Sequence, residues 1–340
     1  MTKLRIIAAV LFLTTAACAQ TVRIGVLGLF HPTDLTVAPE SSPITLDFGR
    51  EAVVLDRGSA SVHLSNGRIH LAVGARAWDI DRLQVHARNG QATGLVLAVP
   101  GKIHRAYRGV LEIAPQGREL AAVVTMDLEV AVASVVAAES PPGAPLEALK
   151  AQAVASRSFL VAHGSGHSSF DFCDTTHCQF LREPPPDASL AARATLQTRG
   201  LVLIYREATL AAMYSRSCGG RTNSLAGLGL PVRDYPYYAV DCPYCRDHSE
   251  TWTRELPRDS DGERSRLGIG REFGWSALPG NHYRVQRAGG RTLVEGSGQG
   301  HGLGLCQTGA SAMARDGKTF RQILGHYYPN TSVTAAPMPR

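Results

Sequence analysis

One segment looks like a buried helix yet carries two cations on its inner side, and it constrains this chain more than any other feature. Pro145 suits a first helical turn, the segment runs from Leu146 to about His163, and Gly164 stops it. Turned at about 100° per residue, Leu146, Leu149, Ala153 and Leu160 share one sector. The opposite face holds Ala151, Ala155 and Ser158, so the helix is apolar or small nearly all round. Such a helix needs other elements packed on all its sides. Lys150 and Arg157 nevertheless fall at the edge of the leucine sector. Either their stems lie on apolar surface with the heads in water, or both line a polar cleft. In a cleft they can pair with a carboxylate or hold an anionic substrate. The natural carboxylate is Glu139, which ends the Ala/Val-rich run from Leu128 to Ala138 just before Ser140-Pro141-Pro142. Partial burial there raises a glutamate pKa, which is what a general acid working near neutral pH needs.

The chain before this point reads as β. Val22–Val26 and Ser61–Leu64 alternate, Ser65-Asn66-Gly67 is a hairpin signal, and Ile69–Val73 follows it. Further strands lie before the turn at Asn89-Gly90, at Leu95–Val99 and at Leu111–Ile113. No catalytic constellation falls in this part. From Asp127 the pattern changes: the Ala/Val-rich Leu128–Ala138 fits a helix or a buried strand, with helix preferred, and the 146–163 helix and a helix near Leu190–Gln197 after the loop at Pro184-Pro185-Pro186 follow. Leu201–Tyr205 and Thr209–Tyr214 read as a hairpin around Glu207, 242–300 as irregular, and Gln307–Arg315 and Phe320–Tyr327 as helices. The expected fold class is α+β. A small β-rich domain at 20–120 precedes an α+β domain at 121–331, with helices packed on antiparallel strands and a tail at 332–340.

Residues 1–19 read as a secretory signal peptide: Lys3 and Arg5, an apolar run from Ile6 to Leu13, and a cleavage site at Ala17-Cys18-Ala19. The apolar run is too short to span ~30 Å of hydrocarbon, and no later segment is long and apolar enough. The chain is therefore expected to be exported to the periplasm, cell wall or medium without a transmembrane span. Cleavage before Cys18 would leave a lipid-anchored cysteine, but Thr15 is a poor residue three places upstream, so free secretion is preferred. The net charge of +6 and a pI near 9.0 suit a polyanionic partner. Aromatics make up only 6% and no Lys/Arg run is dense, so nucleic acid is set aside.

Of the seven cysteines, six remain after the signal. Cys173 and Cys178, with His177 adjacent and His167 six residues upstream, form a compact Cys/His cluster suited to zinc. In an oxidising compartment a local disulfide is the alternative. Cys242-Pro243-Tyr244-Cys245 can supply half of a second zinc site that Cys218 and Cys306 complete. Alternatively these four form two disulfides, the pairing that export favours.

The segment "VASVVAAESPPGAPLEALKAQAVASRSFL" resembles the signature of the SpoIID/LytB family. "CDTTHCQ", "YSRSCGGRT" and "GHGLGLCQTGASAMARDGKTFRQILGHYYPNT" resemble its later motifs in the same order, over about residues 120–331. The resemblance implies a lytic transglycosylase of peptidoglycan, active in sporulating bacteria during engulfment, with Glu139 as catalytic acid/base. It places Lys150 and Arg157 at functional positions, and Tyr214, Ser217, His301 and Gln307 as substrate contacts. It maps a zinc site onto His167, Cys173 and Cys178, with His177 as another candidate ligand. The chemistry suits a lone carboxyl group. Glycoside hydrolases use two, whereas a lytic transglycosylase closes a 1,6-anhydro ring with the sugar's own 6-hydroxyl and needs no water. No partner carboxylate stands in the motif, and Glu147 is expected to face solvent. Part of the family is described as amidase enhancers, so a non-catalytic wall-binding protein is the first rival and a zinc hydrolase the second. Thr308 stands where the family often has Tyr, which removes one expected stacking surface.

Overall fold

The computed structural model describes residues 20–162, 166–232, 234–256, 277–288 and 291–336. The expected signal peptide and Cys18 lie outside the described residues. The protein is α+β, and the largest sheet among its described residues is a curled one of twelve strands. The spine of that sheet is the strand Ile103–Gln116, longer than the Leu111–Ile113 core expected from sequence. Residues 103–109 pair antiparallel with Thr93–Val99; residues 110–116 pair with Glu119–Asp127, and 111–113 also with Leu83–His86. Gly109 sits where the strand changes partners, and a Cβ there would lie 2.5 Å from the Thr125 carbonyl oxygen. The sheet can cross itself only where that side chain is missing. Along Thr93–Val99 every second residue is buried, the alternation a half-buried strand needs. Ala60–Ser65 and Arg68–Val73 form the expected hairpin, with Asn66 and Gly67 both at positive φ (51° and 76°) as a two-residue I′ turn requires.

The strand Thr21–Val26 pairs antiparallel with Glu119–Asp127 and parallel with Phe172–Cys173, so early and late parts of the chain share one sheet. One apolar cluster runs from Val22 to Tyr328. Helix α1 (Leu128–Glu139) follows directly from the strand: Asp127 caps it, its carboxylate accepting from the Glu129 and Val130 N–H groups. It ends at Ser140, which is extended (ψ 145°), because the residue before a proline is pushed out of the helical region. Helix α2 (Leu146–Ala162) is buried as its composition demands. It packs against α1, α3 (Leu190–Gln197), the strand Leu201–Tyr205, and two later helices, α5 (Gln307–Arg315) and α6 (Phe320–Tyr327). No helix among the described residues is long and apolar enough to cross a membrane.

Three expectations change. The hairpin at Leu201–Tyr205 is closed by Ala208–Thr209 alone, with Arg206 and Glu207 supplying the positive-φ turn without glycine. The chain then leaves, and Tyr214–Ser215 pairs in parallel with Leu305–Cys306. The segment read as irregular holds a short helix, α4 (Pro243–His248), and an antiparallel sheet of Thr251–Leu256, His282–Ala288 and Arg291–Ser297. Its first strand exposes most of its residues, charged ones included, so the apolar alternation that marks a strand is nearly absent. Finally, Ser332–Ala335 is no tail; it is an edge strand paired with Leu201–Ile204.

Candidate active site

Glu139 closes α1 at the rim of a cleft of about 600 Å³. The cleft is walled by Phe159 of α2, by Thr176–Phe180, by Ala212–Arg216 and by Pro279 with the segment Gln299–His301. Burial is the main influence on Glu139 and pushes its pKa up to about 7. The Phe180 backbone N–H donates to Oε1, and the phenol of Tyr214 faces the carboxyl; both act in the opposite direction without cancelling the desolvation. The hydroxyl of Tyr214 is itself buried without a well-formed hydrogen bond, and burial raises its pKa well above the ordinary value. Glu139 is the sole carboxylate among the described residues that line the cleft, while Arg216, Arg254 and His301 line it as well.

Gln307, buried at the start of α5, ties the Glu139 backbone in place. Its amide donates to the Glu139 carbonyl (3.1 Å) and to Gln152 Oε1 (3.3 Å). Gln152 donates on to Ser156 Oγ, so a polar thread runs from the cleft into α2. His301 Nδ1 accepts from the Leu303 N–H (3.0 Å), which puts the proton of the neutral ring on Nε2. The glycine-rich segment around it is shaped by close approach: a Cβ on Gly304 (φ 66°) would lie 2.0 Å from the Met213 carbonyl, and one on Gly298 (φ 77°) 2.5 Å from that of Ser217.

Tyr214, His301 and Gln307 therefore meet at the cleft, whereas Lys150, Arg157 and Ser217 do not line it. Arg157 has no exposed surface; its guanidinium forks onto Glu129 (2.6 and 2.9 Å) and donates to the carbonyls of Ala153, Thr195 and Leu201. Lys150 pairs with Glu147 at 2.5 Å. Glu147 is correspondingly not free in solvent: its other oxygen accepts from the Phe320 N–H at the start of α6. The Ser217 hydroxyl turns away toward Ser249 and Cys245. The backbone donor of Phe180 and the flanking Ser215 and Arg216 escaped sequence reasoning. A backbone amide leaves no mark on residue type, although "YSRSC" includes three residues that line the cleft.

The sulfurs of Cys173 and Cys178 lie 3.3 Å apart, with His167 Nε2 3.4 Å from Cys178 and His177 Nδ1 3.5 Å from it. All four side chains offer ligand atoms within 4.8 Å of one another, a two-sulfur, two-nitrogen set that fits zinc. Cys178 also lines the cleft. This loop is fastened to the sheet by Asp174, which accepts from the Leu27 N–H and pairs with the buried Arg105 at 3.2 Å.

A sequence model described as SpoIID, Stage II sporulation protein, matches residues 116–205, from the last strand before α1 to the strand after α3. Stage II sporulation protein D of Bacillus subtilis is 25% identical over 273 residues, covering 63% of this chain and 76% of that protein. Together these matches support membership of the SpoIID family. An uncharacterized protein of Brachyspira hyodysenteriae is 28% identical over 267 residues, 67% of this chain and 72% of that one. The amidase enhancer of Bacillus subtilis is 34% identical over 63 residues, 18% of this chain and 9% of that protein. The SpoIID match contains Glu139, both ends of α2 and the Cys/His loop, but ends before the glycine-rich segment that completes the cleft.

Proposed function

We propose that this SpoIID-family protein has a cell-wall-related function outside the cytoplasm, as an exported lytic transglycosylase of peptidoglycan glycan strands with Glu139 as its one acid/base. The observation that carries this reading is Glu139 itself: the one carboxyl group among the described residues that line the cleft, with its pKa pushed up to about 7. At neutral pH a sizeable fraction is protonated. Protonated Glu139 gives its proton to the glycosidic oxygen as the bond from that oxygen to the muramic acid C1 breaks. The carboxylate left behind takes the proton of the 6-hydroxyl as that oxygen bonds to C1. A 1,6-anhydro ring closes, the enzyme is returned protonated, and no water is consumed. Among the described residues no second carboxylate lines the cleft, which favours this route over two-carboxylate hydrolysis. Arg216 and Arg254, both exposed, give the cleft cations suited to the lactyl carboxylates of glycan stripped of its stem peptides.

His167, Cys173, His177 and Cys178 are the residues that would hold a zinc ion, which would supply a clamp on the loop ending at Phe180. The loop's own contribution to the reaction is the Phe180 N–H, which orients the carboxylate.

Mass spectrometry of products from denuded glycan tests the proposal. The wild type should release fragments ending in 1,6-anhydro sugars, and Glu139→Gln should release none while keeping its circular dichroism spectrum. Full activity in the variant refutes the role of Glu139. Reducing-end products refute transglycosylation, and binding without any product from the wild type favours a wall-binding protein.

A further inference from the structure

A second cluster lies behind the cleft. Cys218, Cys242, Cys245 and Cys306 are all buried, each at most 2% exposed, and their sulfurs lie within 4.8 Å of one another. They come from three separate segments. Cys218 follows the two-residue strand Tyr214–Ser215, Cys242 and Cys245 sit at the cap and first turn of α4, and Cys306 ends the strand that leads into α5. Four such cysteines can be reduced thiols packed as small apolar groups, two disulfides, or ligands.

We propose that these four cysteines form a tetrathiolate site for a single zinc ion, distinct from the Cys/His loop. Two observations favour ligands over the alternatives. The first is the arrangement. Tetrahedral zinc with bonds of about 2.3 Å to sulfur separates its sulfurs by roughly 3.8 Å, and the Cys245–Cys306 pair stands at 3.5 Å. Each sulfur has the other three within reach, whereas disulfide bonding needs two exclusive pairs. A cage of this size takes one ion and leaves no room for bridging sulfides. The second is the set of donors aimed at sulfur. The N–H groups of Cys218 and Gly309 both point at Cys306 Sγ at 3.4 Å, the Ser217 hydroxyl at Cys245 Sγ at 3.6 Å, and the Tyr327 hydroxyl lies 3.4 Å from Cys242 Sγ. A neutral thiol or disulfide gains little from such donors, while a thiolate ligand needs them to hold its charge in a buried place. The packing has also made room: a Cβ on Gly309 would lie 2.5 Å from Cys242 Sγ and 2.1 Å from the Tyr327 hydroxyl.

Binding exchanges four S–H protons, released to solvent, for four zinc–sulfur bonds. The ion joins the backbone at Cys218, next to the Ser217–Gln299 bridge of the cleft wall, to Cys306, whose neighbour Gln307 holds the Glu139 carbonyl. Zinc rather than a redox metal suits a purely structural sulfur cage in an exported protein.

Elemental analysis of full-length protein purified without chelator tests this. Cys173→Ser/Cys178→Ser removes the other cluster and should retain one zinc per chain. The thiols of Cys218, Cys242, Cys245 and Cys306 should then become titratable only when chelator and denaturant are both present. Cobalt in place of zinc should then give the intense visible bands of tetrahedral thiolate coordination. In the otherwise unaltered chain, Cys245→Ser should lower zinc content by one per chain. If Cys173→Ser/Cys178→Ser does not fold, the difference between wild type and Cys245→Ser decides. Absence of zinc from the first variant, with its four cysteines free or joined in disulfides, overturns the proposal, as does stoichiometric iron or an unchanged zinc content in Cys245→Ser.

Discussion

Arg157 tests most sharply whether a cation on the inner side of α2 serves the substrate or the fold. Its guanidinium is fully buried, and its fork on Glu129 is supplemented by the Gly200 N–H, which donates to the same carboxylate at 3.1 Å. Arg157→Met keeps the apolar stem and deletes the charge. It leaves Glu129, only 16% exposed, with one backbone donor, and strips three carbonyls of a partner. Breaking a buried ion pair from one side costs about 3–5 kcal/mol. With a urea dependence near ~3 kcal/mol per M, the midpoint should fall by about 1–2 M. Glu129→Leu alone should cost a similar amount, since it strands the cation. The double variant removes both charges, so its loss should be clearly smaller than the sum of the two singles. Urea unfolding followed by circular dichroism measures all three, with glycan cleavage assayed where each variant is folded. An unchanged midpoint in Arg157→Met together with lost cleavage or glycan binding would refute the reasoning and return Arg157 to the substrate.

Two further predictions concern protons at Glu139. If its protonated form starts the reaction, kcat/KM should fall as pH rises through about 7; Tyr214→Phe, which removes a group that lowers this pKa, should move that limb to higher pH, and an unmoved limb would separate Tyr214 from the acid. Between about 4.5 and about 7 the folded state holds a proton that the unfolded state has released, so this residue makes stability fall as pH rises, by about 3 kcal/mol across the window. Glu139→Gln should lack that contribution, and its urea midpoint relative to wild type should therefore be higher at pH 8 than at pH 5; an unchanged difference would refute the raised pKa.

Elements specified by local chemistry were legible in the sequence. The Asn66-Gly67 turn, the stop at Ser140-Pro141-Pro142 and the buried character of α2 follow from single residues or one period. The wheel correctly put Arg157 on a covered face, but it could not say what covers it. Glu129, 28 residues upstream, and the carbonyls of Thr195 and Leu201 meet Arg157 only in the tertiary fold. Glu147 escaped for the same reason, since its second partner is the Phe320 backbone. In the segment 242–300 the signal itself was weak: Val285 is about half exposed and the first strand is mostly open to solvent. The four-cysteine convergence was visible as a combination of residues but not as a geometry, because it joins positions 88 residues apart.

The cleft walls contain very little regular structure. Tyr214–Ser215 in the wall, and Phe172–Cys173 and Leu305–Cys306 in the segments that lead to it, are strands of two residues each. Strands that short cannot by themselves hold a proton donor to the tolerance that chemistry demands. Side-chain ties to backbone take their place: Asp171 accepts from the Arg23 N–H, Asp174 from that of Leu27, and the Tyr328 hydroxyl donates to the Met213 carbonyl at 2.6 Å while accepting from the Leu305 N–H. Each tie joins a cleft segment to the sheet or to a helix. The two cysteine clusters occupy the same segments, one on the loop that carries Phe180 and the other beneath Ser217 and Gln307. Zinc bound as proposed would add cross-links where the wall has the fewest ladder hydrogen bonds of its own.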